Sequence, residues 1–351
     1  MTESAAQTPL VFRRFPNTRW HMLRRVLMNA YIALVGAYGL NVTLLLVVRA
    51  AVGERWNIIG LMNSYLHLLI LPAVVFLPLS LILRRRWLVI ELAAPFLFFI
   101  STYGGQFLPR TANVPAEAPR LKVLTFNVLR DNVHSEDVIR IIRDANADIV
   151  SIQELSPWMA NAFKEQLTTL YPFQDLFPQD DYSGQGVMSR YPTSEEEYWK
   201  GGQGFMRLIL QVDNKPITLF NPHPAIPNFG IRGFNTVTRS DGINELLRRA
   251  DLETNPTLIV GDLNTTDLTD DYANITARYK DTYKEVGWGL GFSYPIFSVI
   301  NARFAFLPPV ARIDYIFHDN HFQPVDMRVL STSGGSDHFP VFATFALVNA
   351  E

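Results

Sequence analysis

The sequence predicts a two-part molecule: apolar helices suited to lipid, followed by an α/β domain whose sheets are covered on both faces. Near the N-terminus the apolar runs are long and almost free of charge, whereas beyond residue 120 short strand-like segments are mixed with amphipathic helical ones. Several strand candidates are apolar throughout rather than at alternate positions. That is the pattern of strands buried on both sides.

The chain has 351 residues, 48% of them hydrophobic, a high fraction for a wholly soluble protein. From Leu27 to Val48 no charge interrupts 22 residues, enough at about 1.5 Å per residue to cross roughly 30 Å of hydrocarbon. The second run, Ile58 to Leu83, is also uncharged and carries Asn63, His67, Pro72 and Pro78, tolerable in a span where neighbours satisfy the polar groups. The third, Trp87 to about Leu108, contains Glu91 and Pro95 and fades into "STYGGQ". Residues 27–108 are thus expected to form three transmembrane helices. The first run is too long for the apolar part of a signal peptide and lacks an A-x-A-like site after it.

Arginine distribution gives the expected orientation. Arg13, Arg14, Arg19, Arg24 and Arg25 precede the first span and Arg84, Arg85 and Arg86 separate the second from the third, while the loop between the first two holds Arg55 beside Glu54, with Arg49 at its edge. The positive-inside rule places residues 1–26 in the cytoplasm, and three crossings carry everything after Leu108 to the far side. The expectation is a multi-pass protein of the inner (cytoplasmic) membrane with an extracytoplasmic domain. The absence of cysteine suits such a domain and is equally compatible with the cytosol.

Charge divides the chain in the same place. Residues 1–110 hold 11 Arg and 3 Glu, a net of +8, and the remainder holds 20 basic and 30 acidic residues, a net of −10. A general DNA-binding surface is normally basic because phosphate neutralisation dominates its affinity. The acidic half therefore argues against nucleic acid as a partner.

"LPRTANVPAEAPR", Leu108 to Arg120, reads as a semi-rigid linker, set at residues 109–120, before a domain spanning 121–351. Strands are expected at Leu121–Val128, Ala147–Glu154, Gln185–Arg190, Met206–Val212, Pro216–His223, Thr257–Leu263, Arg312–His318 and Pro340–Leu347. A helix is expected from Ser135 as cap, with Glu136 and Asp137 at its positive end and Val138, Ile141, Ile142 and Ala145 on one face. "SDGINELLRRADL" reads as another.

Several of these strands end on a residue able to bind metal or phosphate: Asn127, Glu154, His223, then Asp262 and Asn264, with Asp314 inside "RIDYIF" and Asp337 and His338 in "GGSDHFP". Taken singly, each has a plain explanation in turns and caps. As an ordered set, "TFNV", "IVSIQE", "GVMSRYP", "NPHP", "GDLN", "RIDYIF" and "SDHFP" resemble the endonuclease/exonuclease/phosphatase superfamily over about Leu121 to Leu347. Together with the apolar N-terminus, the chain is similar to that superfamily's membrane-anchored bacterial branch.

The resemblance implies two packed mixed β-sheets flanked by helices, a four-layer α/β sandwich, and a metal-dependent phosphoric ester hydrolase. In its terms Glu154 would hold the metal with Asn127 and Asp337 close by, and hard oxygen ligands favour Mg2+, or Mn2+, over zinc. Asp262 would orient or deprotonate the attacking water and Asn264 would contact a phosphate oxygen. His338, its tautomer fixed by Asp314, would be the general base or a charged phosphate clamp, and His223 would stabilise the pentacoordinate phosphorus or assist the leaving group. His67 is expected to be a packing histidine, and His21, His134, His318 and His321 surface or packing ones.

The aromatic segment Gly287 to Pro309 is read either as ordinary core or as a lip that touches lipid; a fourth span would place Asp262 and Asp314 on opposite sides of the bilayer, and Arg303 interrupts it. The functional expectation is hydrolysis of a lipid-borne phosphate, a phospholipid or sphingolipid diester or a polyprenyl pyrophosphate, by a domain held beside the bilayer. A membrane-tethered nuclease is the alternative, and a non-catalytic binding module the third reading.

Overall fold

The structure, a computed structural model, describes residues 18–110, 114, 118–230 and 233–347. Arg13, Arg14, half of the expected linker and the last four residues lie outside them.

The N-terminal part is helical: α1 (Thr18–Val52), α2 (Asn57–Ser64), α3 (Leu66–Ile70), α4 (Ala73–Ile82) and α5 (Arg86–Tyr103). Two helical stretches, Arg19–Val52 and Arg86–Phe107, are long and apolar enough to cross a membrane. They pack closely, because a Cβ on Gly36 or Gly39 would stand 3.3 Å from atoms of Glu91, and Thr43 Oγ1 donates to Glu91 O at 3.1 Å. Small residues at a helix crossing permit this approach.

The second apolar run departs from the expected continuous helix. It bends by 67° between Asn57–Ser64 and Leu66–Ile82, so it counts as a third span only if the bent pair is taken as one. Its polar residues supply the reason. Asn63 accepts from Arg49 Nε at 2.6 Å and donates to Glu54 at 2.5 Å, while His67 Nε2 lies 2.7 Å from Val310 O in the C-terminal domain. Pro72, at the start of α4, has no N–H with which to continue the helix behind it.

The C-terminal part holds β1 (Arg120–Asn127), β2 (Ile149–Gln153), β3 (Phe173–Phe177), β4 (Gln185–Ser189), β5 (Thr193–Gly201), β6 (Gln203–Val212) and β7 (Lys215–His223). The hairpin of β8 (Asn228–Gly230) and β9 (Gly233–Asn235) follows, then β10 (Thr257–Asp262), β11 (Lys280–Asp281), β12 (Asp314–His318), β13 (Phe322–Val329) and β14 (Val341–Leu347). One sheet runs β13, β14, β1, β2, β4, β3 and the other β11, β12, β10, β7, β6, β5. Each is mixed, with β1–β2 parallel in the first and β7–β10 parallel in the second.

Three apolar layers hold the sandwich together. Val123, Ile149, Leu208, Leu219, Leu258 and Val260 meet between the sheets. The opposite faces of the same strands, through Leu124, Phe126, Val150 and Ile152, pack on α6 (Ser135–Ala145) and α7 (Pro157–Leu167). On the other side Phe220, Ile259 and Phe317 pack on α8 (Val237–Ala250) and α9 (Asp270–Thr276). Consecutive residues of β1 and β10 thus face different cores, which is why those strands are apolar throughout.

Other details differ from expectation. The residue before α6 is His134, and Ser135 begins the helix without a side-chain cap bond. Helix α7, not anticipated, opens with Pro157 and is capped by Ser156, whose hydroxyl accepts from Met159 N at 3.3 Å. The edge strands β3, β5 and β13 were not anticipated either, since β5 carries Glu195, Glu196 and Glu197 on an exposed edge and β13 carries Pro324 at a bulge. Charge, proline and bulges are how edge strands avoid further pairing, and they erase the strand pattern.

The sandwich sits on one end of the helical bundle. Arg49 near the end of α1 donates to Leu268 O at 2.9 Å, Tyr103 at the end of α5 donates to Asp267 Oδ1 at 2.7 Å, and Leu268 packs among Val42, Leu66, Ile70 and Phe99. The first residues of α1 lie by Leu83 at the opposite end, so Arg24 and the Arg84–Arg86 turn are remote from the sandwich. At the junction Arg312 binds Asp267 at 3.2 Å and Asp281 at 2.7 Å, and Lys284 binds Asp267 at 2.8 Å. Burial raises the Asp267 carboxyl, but Arg312 and Lys284 outweigh it and hold the group well below the usual carboxylate range.

A buried carboxylate so held contributes stability that is full above its unfolded value of about 3.9 and is lost as pH falls toward the folded one. Replacing Arg312 by Met leaves Asp267 and Asp281 short of a partner and is expected to cost about 3–5 kcal/mol. Thermal unfolding of the detergent-solubilised chain will show this, and Asp267→Asn should flatten the loss of stability between pH 5 and pH 3.

Candidate active site

The ends of β1, β2, β7 and β10 and the start of antiparallel β12 lie at one edge of the sandwich, and Asp262 pairs directly with Asp314 across β10 and β12. Close sheet packing sets the position of Asp262. A Cβ on the preceding Gly261 would stand 2.3 Å from Pro222 O of β7, so only glycine fits there.

Asn127, at the end of β1, ties two carboxylates together: its amide donates to Glu154 Oε1 and to Asp262 Oδ2, both at 3.1 Å. Glu154 Oε2 accepts from Arg130 N at 3.1 Å. Glu154 follows β2 with φ of 57°, a left-handed conformation that costs a non-glycine residue roughly 1–2 kcal/mol. Asn264 shares that conformation with φ of 48° and tolerates it better; its amide donates to Pro224 O at 3.0 Å while its N–H donates to Asp262 Oδ1 at 2.8 Å.

His338 is gripped by carboxylates. Its Nδ1 lies 2.9 Å from Asp314 Oδ2 and its Nε2 lies 3.7 Å from Asp262 Oδ2, and the Tyr294 ring stands 4.6 Å from it centre to centre. Ser293 Oγ also donates to Asp314 Oδ2, at 2.6 Å. Burial alone would lower the His338 pKa, but Asp314 and Asp262 prevail and raise it well above its ordinary value. Burial pushes the carboxyls of Glu154, Asp262 and Asp337 upward, with His338 pulling the other way.

His223 behaves differently. It is wholly buried, with Nε2 3.5 Å from Asp262 Oδ2 and 3.8 Å from Glu154 Oε1, and neither ring nitrogen has a hydrogen-bond partner among the described residues. Burial and the nearby His338 charge push its pKa down to about 3, leaving the imidazole neutral.

A cleft of about 420 Å³ opens over this cluster. Glu154, Asp262, Asn264, Asp337 and His338 form its wall; Asn127, Asp314 and His223 stand behind and contact the wall residues. All eight residues singled out in the sequence therefore meet in one place. Four carboxylates around one imidazolium leave an excess of buried negative charge, which suits a divalent cation. Asp262, Asp314 and His338 each offer an atom within 4.8 Å of the others, yet Asp314 Oδ2 is already bonded to His338 Nδ1, which leaves Asp314 only Oδ1 without a partner among the described residues. Glu154 and Asp337, both on the wall, have oxygen lone pairs to spare and match a hard cation.

Sequence reasoning missed several wall residues. Tyr294 and Phe297 come from the aromatic segment Gly287–Pro309, which forms cleft wall and leaves Phe306 78% exposed rather than making core. Arg239, in the first turn of α8, lies fully buried at the wall, donating to Asp271 at 2.8 Å and to Asn264 O at 3.0 Å. Ser64 and Tyr65 come from the bend between α2 and α3. No local signal marked Ser64 or Tyr65, since they sit in a run read as a membrane span.

The chain matches the model of the Endonuclease/Exonuclease/phosphatase family over residues 124–338, which include all eight side chains. No curated protein matches it. Solved structures with the same fold include a functionally unknown conserved protein from Enterococcus faecalis, 18% identical with a TM-score of 0.54, covering 65% of this chain and 100% of that one. D. rerio TDP2 complexed with single strand DNA product is 18% identical with a TM-score of 0.54, covering 64% and 98%. SmcL is 18% identical with a TM-score of 0.54, covering 65% and 99%. At these identities the likeness is one of fold, whereas the family match rests on the chain's own motifs. The chain belongs to the endonuclease/exonuclease/phosphatase family, whose members are phosphoric ester hydrolases.

Proposed function

We propose that the protein is a membrane-anchored, metal-dependent hydrolase of lipid-linked phosphate, working outside the cytoplasm. The observation that carries this reading is the position of the cleft. It opens at the end of an apolar helical bundle, with Ser64 and Tyr65 of that bundle in its wall and Ile226, 60% exposed, Pro227 and Phe297 among its lining. Such a cleft suits a phosphate whose remainder is hydrocarbon, and anchoring raises the effective concentration of a substrate confined to two dimensions. The arginine clusters at the opposite end of the bundle support a cytoplasmic N-terminus.

Glu154 and Asp337 would hold Mg2+ or Mn2+, with Asn127 orienting Glu154. The bound cation supplies charge neutralisation on the phosphoryl oxygens. Asp262 accepts from Asn264 N on Oδ1 and from Asn127 on Oδ2, and burial raises its proton affinity, so the remaining lone pair of Oδ2 can take the proton of the attacking water. His338, charged and locked by Asp314, offers Nε2–H to a phosphoryl oxygen. The Asn264 amide donates to Pro224 O at 3.0 Å and to Gln203 Oε1 at 3.4 Å, and exchange of the longer bond would let it reach the same group. His223 is placed to support Asp262 from behind rather than to touch phosphorus.

A nuclease shares this chemistry, and the TDP2 structure of the same fold holds a DNA product. The net of −10 beyond residue 110 weighs against a polynucleotide here. Detergent-solubilised full-length protein and Asp262→Ala, supplied with Mg2+ and offered phospholipids, undecaprenyl pyrophosphate and plasmid DNA in parallel, decide between them. Release of phosphate or head group from lipid, reduced about 10²–10⁴-fold in the variant, is expected; cleavage of DNA alone overturns the substrate assignment.

Cation binding can be measured apart from turnover. Saturation at about 100 times Kd should stabilise the protein by about 2.7 kcal/mol, seen as a rise in unfolding temperature that Glu154→Gln abolishes. For orientation, a C-terminal reporter active only outside the cytoplasm is expected to be active, and a silent one refutes the assigned sidedness.

A further inference from the structure

The bend in the second apolar segment is held by the rim of the cleft. Before it, Ser64 O accepts from Thr266 Oγ1 at 2.9 Å. After it, His67 Nε2 meets Val310 O at 2.7 Å, with its ring 5.4 Å from Phe292. Thr266 and Val310 themselves line the cleft. Between these two ties stands Tyr65, with φ of −114° and ψ of 11°, where the helix is interrupted.

Tyr65 differs from its neighbours and from the other tyrosines of the bundle. Asn63, Leu66 and His67 are buried at 1%, 0% and 4% exposure, whereas Tyr65 is 45% exposed and lines the cleft. Tyr31 bonds Ser80, Tyr38 donates to Leu69 O and Tyr103 donates to Asp267. The Tyr65 phenol has no hydrogen-bond partner among the described residues. It shares the cleft wall with Tyr294, the residue whose ring lies against His338. A continuous helix through residue 65 would suit a simple anchor, so the interruption and its two ties call for another explanation.

We propose that Tyr65 is a specificity-determining residue. Its phenol donates a hydrogen bond to an anionic or hydroxyl oxygen next to the reacting phosphate, on the part of the substrate that stays with the membrane, so the bent segment is a wall of the substrate site as well as an anchor. This rests on the lipid-phosphate reading for the identity of the substrate. It makes the phosphatase-like domain incomplete without its helical bundle. The competing explanation is an aromatic residue at a membrane–water interface, which anchors without contacting substrate. Trp56, at the start of α2 and 57% exposed but absent from the cleft wall, is the control for that role.

The test uses the full chain in mixed micelles with Mg2+, comparing wild type, Tyr65→Phe, Tyr65→Ala and Trp56→Ala. Each is assayed on the lipid phosphate that the wild type turns over and on soluble bis(p-nitrophenyl) phosphate and p-nitrophenyl phosphate, with thermal unfolding measured alongside. Tyr65→Ala is expected to raise KM for the lipid roughly tenfold and Tyr65→Phe roughly threefold, tenfold corresponding to about 1.4 kcal/mol, with kcat and the soluble substrates within about twofold. Trp56→Ala should leave that KM unchanged. Equal effects of Tyr65→Ala and Trp56→Ala, an equal loss on soluble and lipid substrates, or no change in KM overturns the proposal. Should the wild type cleave no lipid but cleave DNA, the lipid reading fails by itself; Tyr65 is then judged on DNA, where an unchanged KM overturns its role too.

Discussion

The edge of the sandwich concentrates four carboxylates around one imidazole, and most of the surrounding architecture answers that electrostatic constraint. Glu154, Asp262 and Asp337 converge with Asp314 where water is largely excluded, so burial raises the cost of ionising those three, and Asp314 adds to it for Asp262 and Asp337. Three devices offset this cost within the chain. Asn127 donates to two of the carboxylates at once, the N–H groups of Arg130 and Asn264 supply one bond each, and His338 takes up charge between Asp314 and Asp262. What remains is negative, which suits a hard cation. Sites of this kind need a rigid support, and the three apolar layers of the sandwich provide it.

Burial also separates the two histidines. His338 and His223 both stand within 4 Å of Asp262 Oδ2, yet one is charged and the other neutral. The difference lies in Asp314, which bonds His338 directly, whereas the carboxylates nearest His223 stand at 3.5 and 3.8 Å without a hydrogen bond to it. Two imidazoles flanking one carboxylate in opposite protonation states give the site a fixed proton donor on one side and a neutral neighbour on the other. Asp262 is thereby placed between a group that stabilises its charged form and one that does not.

The sequence made legible what depends on two-sided burial. The strands β1, β2, β7 and β10 are apolar on both faces, and their C-terminal polar residues stood out against that background. Edge strands left no such mark: β5 spends three consecutive positions on glutamate and β13 accommodates Pro324 in a bulge. The helix α6 was readable from its apolar face, but its cap was misplaced because the chain before Ser135 is fixed by Asn132, whose side chain accepts from His134 N at 2.9 Å. For the site, residues at strand ends could be found, whereas Arg239, Tyr294 and Tyr65 could not. Each of these arrives through tertiary packing from a helix, an aromatic loop or the bundle, and nothing in its local sequence separates it from ordinary core.

The stretch Asp262 to Leu268 explains why the bundle and the site cannot be considered separately. Asp262 and Asn264 face the cleft, Thr266 binds the bend before Tyr65, Asp267 binds Tyr103 of α5, and Leu268 inserts among the bundle's apolar side chains while its carbonyl accepts from Arg49. Seven consecutive residues thus run from the end of a central strand to the end of three helices. Asp267 is further clamped by Arg312, two residues before Asp314, and by Lys284. A shift of the bundle against the sandwich would therefore have to move either the strand that carries Asp262 or the one that carries Asp314, both of which have strands on either side in a packed sheet. Close-packed interiors resist such movement. The junction consequently holds Tyr65 and the acidic cluster in one frame, and the geometry of the cleft is as much a property of the helices as of the sheets.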